Sequence, residues 1–112
     1  MEANQTSGAE ILLEAHKLIT GPRQASYSHP AEDYARTVSI FNAITGHNLT
    51  ALDGILFMMS VKLSRLAHER ATGVPHPDNI LDLAGYVGCY KMVETAFNVG
   101  HRFKTGETNG VS

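Results

Sequence analysis

The chain has 112 residues, which is enough for one small domain and too few for two. Nine basic and eleven acidic side chains give a formal net charge of −2, and no basic run favours binding to a nucleic-acid polymer. The start, "MEANQTSGAE", lacks the features of a signal peptide, and charged residues interrupt the apolar stretches, so we expect neither secretion nor membrane insertion. The single cysteine, Cys89, cannot form an internal disulfide, and we therefore expect a cytoplasmic protein.

Cap and breaker residues divide the chain into four predicted helices. Ser7 and Glu10 have the spacing of a capping box, which predicts a first helix from Gly8 to about Ile19. Pro30 suits the first turn of a second helix, which we expect to continue to about Thr45.

Thr50, followed by Asp53 three residues later, predicts the start of a third helix that ends near residues 72–73. We expect the fourth helix to run from about Asp78 to about Val99, with a flexible tail over residues 101–112. The expected buried stripe of the third helix consists of Leu52, Leu56, Met59, Leu63 and Leu66.

These elements predict a single all-α domain over residues 1–112 that resembles a four-helix bundle, with an ordered core over about residues 8–100. Its core is small, which favours completion of the fold by oligomerisation. The fourth helix also has apolar residues opposite Asp82, and these predict a partner surface: Ile80, Leu83, Val87 and Tyr90. We therefore expect a homodimer or a homotetramer.

An acid, Asp82, stands in the middle of the apolar stretch "NILDLAGYVGCYKM". Burying an ionised carboxylate costs several kcal/mol unless a cation or a metal ion compensates it. Lys62 and Arg65 lie at the edge of the third helix's apolar stripe, and consecutive helices usually pack together. Asp82 can therefore face a structural ion-pair partner, a metal ion, or both.

Carboxylates on three helices could instead form a site for Mg²⁺, or for Mn²⁺, because hard cations prefer oxygen ligands. The candidate metal ligands are Glu32, Asp53, Asp78 and Asp82. Each of the first three also has a local explanation as an acid in the first turn of a helix. Glu32 and Asp82 are the candidate catalytic residues, since a carboxylate can act as a general base.

The remaining polar candidates could bind a nucleotide. Arg23, Lys62 and Arg65 could hold its phosphates, and Tyr27 could stack on its base. Together with the carboxylates, they suit attack by water on a phosphoanhydride bond. The six histidines have no metal-binding spacing, so a zinc site is not expected.

Three stretches together resemble a family of small phage-encoded proteins related to the MazG-like, all-α nucleoside triphosphate pyrophosphohydrolases. They are "ILLEAHKLITGPRQASYSHPAEDYART", "LFMMSVKLSRL" and "HPDNILDLAGY". The resemblance covers residues 10 to about 92. The matching positions are Glu14, Arg23, Tyr27, Pro30, Glu32, Tyr34, Lys62, Arg65, Asp78, Asn79, Asp82 and Tyr86.

The resemblance implies Mg²⁺-dependent hydrolysis of a nucleoside triphosphate to the monophosphate and pyrophosphate, with Asn79 added to the substrate-binding residues. It also implies dimers or tetramers, with active sites near subunit contacts, in the cytoplasm of a phage host. Two departures stand out: Ser28 replaces a glycine of the pattern, and Arg36 stands where a second acid of a Glu-x-x-Glu pair is expected. The alternative is a non-catalytic helical module that binds a nucleotide or a host protein.

Overall fold

The computed structural model describes residues 7–21 and 29–104, the last part, 98–104, as helical backbone only. Four helices follow in chain order: α1 (Gly8–Thr20), α2 (Pro30–Thr45), α3 (Ala51–Thr72) and α4 (Pro77–Lys104). The predicted all-α fold with four helices is confirmed, and the two described ranges contain no strand.

The helix starts follow the predicted caps. In α1, Ser7 Oγ accepts from the Glu10 amide at 3.1 Å, and the Glu10 carboxylate accepts from the Ser7 amide at 3.0 Å. Thr50 and Asp53 form the same reciprocal pair at the start of α3, at 3.2 and 2.8 Å. Each pair satisfies two amides that have no partner within the helix.

The end of α4 lies beyond the predicted end of the fourth helix. We expected the helix to end near Val99, but it continues to Lys104. The segment "HRFK", residues 101–104, contains neither glycine nor proline, so nothing in it breaks a helix. The rest of the predicted tail, residues 105–112, lies outside the described residues.

A side chain fixes the turn between α2 and α3. The Asn42 amide nitrogen donates to the Leu49 carbonyl at 3.0 Å, and the Leu49 amide donates to the Asn42 side-chain oxygen at 2.9 Å. Gly46 ends α2 with φ of 81°, a left-handed conformation that glycine adopts without strain. The two helices consequently pack as an antiparallel pair.

Within the described residues, α4 packs against the other three helices, whereas α1 contacts α4 alone. Glycines permit this close packing. A Cβ added to Gly88 of α4 would lie 2.6 Å from Ile19 Cδ1 of α1, and one added to Gly54 of α3 would lie 2.8 Å from Val38 Cγ1 of α2. The helices therefore approach each other more closely than larger residues allow.

The core lies between α3 and α4. It consists of Ala51, Ile55, Cys89 and Val93. Cys89 is a buried free cysteine that packs as a small apolar residue. Ala15, Pro30 and Val38 are further buried apolar side chains among the described residues.

The predicted stripe of α3 is wrong in part. Leu56 and Leu63 are exposed, whereas Ile55 and Lys62 are buried. Apolar residues occur on every side of this helix, so their periodicity does not select one face. The face that packs against α4 is the one that carries the small residue Ala51 and the buried lysine.

Several large apolar side chains of the described residues remain exposed. On α4, Ile80 and Val87 are exposed as predicted for a partner surface, but Tyr90 packs against the core. Further exposed residues lie on the other helices: Leu12, Leu13, Ile40, Phe41, Ile44, Leu56, Phe57 and Leu63. Within the described ranges, no helix has an apolar stretch long enough to span a bilayer.

Candidate functional site

An ion pair joins α3 to α4. Lys62 Nζ lies 2.9 Å from Asp82 Oδ2. The lysine side chain is 11% exposed and the aspartate side chain 34% exposed, so the cation is buried while one side of the carboxylate reaches solvent. The negative charge of Asp82, the acid in the apolar stretch, is therefore compensated by Lys62, as the ion-pair interpretation predicted.

A second polar contact lies beside the first. The Asn79 side-chain nitrogen donates to Glu69 Oε2 at 2.6 Å, and Asn79 is buried. Glu69 is seven residues after Lys62, so both face the same side of α3, about 10 Å apart. The two contacts fix the antiparallel register of α3 and α4, and the predicted substrate-binding amide of Asn79 is bound to Glu69.

Two tyrosines, Tyr34 of α2 and Tyr86 of α4, lie next to each other near these polar contacts. Burial, followed by the neighbouring Tyr86, raises the pKa of the Tyr34 hydroxyl above its usual range. Burial also raises the pKa of the Cys89 thiol, to which the charge of Asp33 adds. Tyr86 lies one turn after Asp82 on α4 and neighbours Tyr34 of α2.

The four predicted metal ligands have separate surroundings. Asp53 accepts from the Thr50 amide in the capping box of α3. Glu32 and Asp78 are exposed acids in the first turns of α2 and α4, and Asp82 binds Lys62. In the part of the chain that the structure describes, no three His, Cys, Asp or Glu side chains come close enough to hold a metal ion. The predicted cage of four carboxylates is therefore not assembled within these residues.

A smaller group of these residues lies in neighbouring turns of the helices. Asp78 and Asp82, four residues apart, lie on the same side of α4 and both reach solvent. The contacts of Gly54 with Val38 and Tyr34 set the register of α2 against α3. Eight residues further, at 1.5 Å per residue, the start of α2 lies at about the level of Lys62. Glu32 therefore lies at about the level of the middle of α3, where Lys62 and Asp82 form their ion pair.

Only one of the two predicted phosphate-binding arginines lies among the described residues. Arg65 is exposed on α3, one turn after Lys62, and takes part in none of the three ion pairs found among the described residues. Arg23 and Tyr27 lie outside the described residues. Their predicted roles stay predictions.

Two of these contacts were not predicted from the sequence: the hydrogen bond between Asn79 and Glu69, and the contact between Tyr34 and Tyr86. Glu69 is seven residues after Lys62, and that heptad spacing was the available signal. No comparable signal pairs Tyr34 with Tyr86, because the two belong to helices that are not consecutive in the chain.

One protein family matches most of this chain. Residues 10–94 match the model of "Domain of unknown function (DUF6378)", so the chain belongs to this family. It is similar to the "Gene 55 protein" of Mycobacterium phage D29, with 32% identity over 83 residues that cover 74% of this chain. The chain spans about half the length of that relative, 52%. No solved structure matches.

Proposed function

We propose that this member of the DUF6378 family binds a nucleoside triphosphate beside the surface of α3 and α4 that carries Lys62, Arg65, Asp78 and Asp82, and hydrolyses it to the monophosphate and pyrophosphate. The observation that supports the proposal best is the 2.9 Å pair of Lys62 and Asp82, whose carboxylate remains 34% exposed. The resemblance of the sequence to MazG-like pyrophosphohydrolases also supports it, and the similarity to a phage protein supports a role in an infected host.

The burial of Lys62 favours a functional cation over a merely structural one. Removing an ammonium group from water costs several kcal/mol, and a well-packed apolar pair is often as stable as a buried ion pair. An apolar residue at position 62 would have served the core at least as well. A lysine that is held beside a solvent-accessible carboxylate is a feature that substrate binding explains.

Among the described residues, two carboxylates of α4 could hold a magnesium ion together with substrate phosphates, but no set of protein ligands surrounds such an ion completely. Asp78 and Asp82 share a face of α4, and Mg²⁺ is commonly held by one or two carboxylates together with substrate phosphates. A bound ion would neutralise charge on the triphosphate.

The chain's own residues have distinct roles in this proposal. Arg65 is exposed and binds phosphate oxygens through its planar guanidinium group. Lys62 holds Asp82 in a fixed orientation, and Asp82 accepts the proton of the attacking water, with Glu32 as the second candidate for that role. Arg23 and Tyr27 complete the phosphate and base contacts. The reaction takes place in the cytoplasm of the infected host.

A second candidate is a non-catalytic module that binds a nucleotide or a host protein. One observation favours it: the described residues bring no three potential metal ligands together. This candidate predicts saturable binding to the same residues without release of pyrophosphate.

Pyrophosphate release from a panel of ribo- and deoxyribonucleoside triphosphates, with Mg²⁺ or Mn²⁺, tests the proposal. Asp82→Asn should lower the rate at least about a hundredfold, the usual scale for loss of a general base. The ion pair of Lys91 and Glu94, at 3.0 Å on the exposed side of α4, supplies the matched control. Glu94→Gln removes the same charge and should leave the rate unchanged.

The outcomes separate the two candidates. Nucleotide binding that depends on Lys62, without pyrophosphate from any substrate, would replace the enzyme by the non-catalytic module. Absence of both binding and turnover would refute a nucleotide site altogether.

A further inference from the structure

We infer that the exposed apolar surface formed by Ile40, Phe41, Ile44 and Phe57, called the α2–α3 patch below, is where a second copy of this chain binds. Ile44 is 77% exposed, Phe57 66% and Ile40 58%. The three residues of α2 lie within one band of that helix, because positions four and three apart are neighbours. Phe41 and Phe57 line one apolar cavity of about 290 Å³ between the two helices.

The sequence around the patch carries no charge. Residues 37–45, "TVSIFNAIT", and residues 54–61, "GILFMMSV", contain no Asp, Glu, Lys or Arg. Depletion of charged residues with enrichment in aromatic side chains is the compositional signature of the centre of a protein–protein interface. A surface that normally faces water would have charged residues on the outer side of α2.

The exposed apolar residues of α1 and α4 form less continuous surfaces. Leu12 and Leu13 of α1 stand among charged residues, and the depression beside Leu13 is lined by Glu10, Glu14 and Lys17. On α4, Val87 also lies in a charge-free stretch, residues 83–90, but Leu83 and Tyr90 of that stretch are partly buried, and Ile80 stands between Asp78 and Asp82. Among the described residues, the α2–α3 patch combines several exposed large apolar side chains with a charge-free sequence.

The exposed area of the patch is adequate for a dimer. With about 180 Å² for a fully exposed large apolar side chain, the patch exposes on the order of 400 Å² per chain. Two copies joined there bury on the order of 800 Å² of apolar surface, about half of a standard interface of roughly 1,600 Å². Such interfaces are a little over half apolar, so the patch supplies most of the apolar part that a stable dimer needs.

The patch is also fixed in shape before binding. Asn42 holds both backbone polar groups of Leu49, which locks α2 against α3. Pairing the same patch on two chains gives a closed, two-fold symmetric dimer. Phe57 stands beside the cavity it lines, so each copy presents both a projecting ring and a recess.

Sedimentation equilibrium of the full chain tests this inference, independently of whether any nucleotide is cleaved. The wild type should show at least twice the monomer mass of 12.1 kDa. Ile44→Lys and Phe57→Lys, on separate helices, should each weaken association at least about tenfold. Leu12→Lys places the same charge on an apolar residue that is 65% exposed on α1, and it should leave association within about twofold of wild type.

Circular dichroism of each variant establishes that it is folded, which the exposure of all three positions makes the expected result. A wild-type chain that stays monomeric at every concentration would overturn the inference. So would an oligomer that Leu12→Lys dissociates and the two patch variants do not.

Discussion

Removing Asp82 from the Lys62–Asp82 pair should lower the free energy of unfolding much more than removing Lys62 does. Asp82→Ala leaves a buried ammonium group without its partner. Breaking a fully buried pair costs about 3–5 kcal/mol, and because a third of the carboxylate is exposed we expect about 2 kcal/mol. Lys62→Met removes the buried charge and keeps the apolar stem, while Asp82 can be hydrated from its exposed side, so the expected loss is below about 0.5 kcal/mol.

Urea unfolding followed by circular dichroism measures both changes. All variants should be compared at one protein concentration, because an associating chain unfolds at a concentration-dependent midpoint. The matched controls are Glu94→Ala and Lys91→Met, which break an ion pair whose two side chains are 41% and 73% exposed. Each control should change stability by less than about 0.5 kcal/mol, as exposed ion pairs usually do.

The difference between the two losses in unfolding free energy shows which partner of the pair is the less hydrated. If Lys62→Met destabilised the chain more than Asp82→Ala, the ammonium group would be the better solvated partner, and the desolvation argument would be wrong. Equal, small losses in both variants would show that the pair is weak and that Lys62 is hydrated in solution.

Three further predictions concern packing, alkaline pH and a helix cap. Gly85→Ala should stabilise the chain by about 0.5–1 kcal/mol, since the added Cβ would lie an ordinary 3.7 Å from the nearest side chain. Gly54→Ala should destabilise the chain by about 1 kcal/mol, because the added Cβ would lie 2.8 Å from the stiff side chain of Val38. Chemical unfolding measures both changes. Stability should fall as the pH rises above the unfolded pKa of Cys89, because its raised folded pKa keeps the thiol protonated while the unfolded chain loses the proton, and Cys89→Ala should reduce that slope in unfolding curves recorded at several pH values. Thr50→Ala should lower the thermal midpoint through the loss of about 1 kcal/mol of capping, as read by circular dichroism.

The helices were predictable from local chemistry. Ser7 with Glu10 and Thr50 with Asp53 satisfy backbone amides within three residues, so their signal is contained in a short stretch of sequence. The end of α4 was not predicted, because a glycine at position 100 and polar residues after it resemble a helix end even where the helix continues.

The packing was harder to predict than the helices. In α3 the apolar residues cover all sides, so periodicity selected Leu56 and Leu63 where tertiary contacts select Ile55 and Lys62. The Lys62–Asp82 pair was predictable, since an acid in an apolar stretch needs a cation on the neighbouring helix.

The carboxylates of the candidate site show the limit of spacing arguments. Spacing along a helix shows which acids share a face, as for Asp78 and Asp82, but not how the faces of different helices turn towards each other. In the sequence Asp53 suited the first turn of a helix, with a metal ligand as the alternative, and the structure places it in the capping box.

Binding of a slowly hydrolysed nucleoside triphosphate analogue in the presence of Mg²⁺, measured by titration calorimetry on wild type and Lys62→Met, tests the nucleotide site most directly. Because this variant should fold with nearly unchanged stability, a change in affinity reports on the site itself. The account predicts saturable binding to wild type that Lys62→Met weakens at least about tenfold, because Asp82 loses the partner that orients it as a proposed ligand of the magnesium ion, while Lys91→Met binds as wild type does. Equal affinity of wild type and Lys62→Met would contradict it.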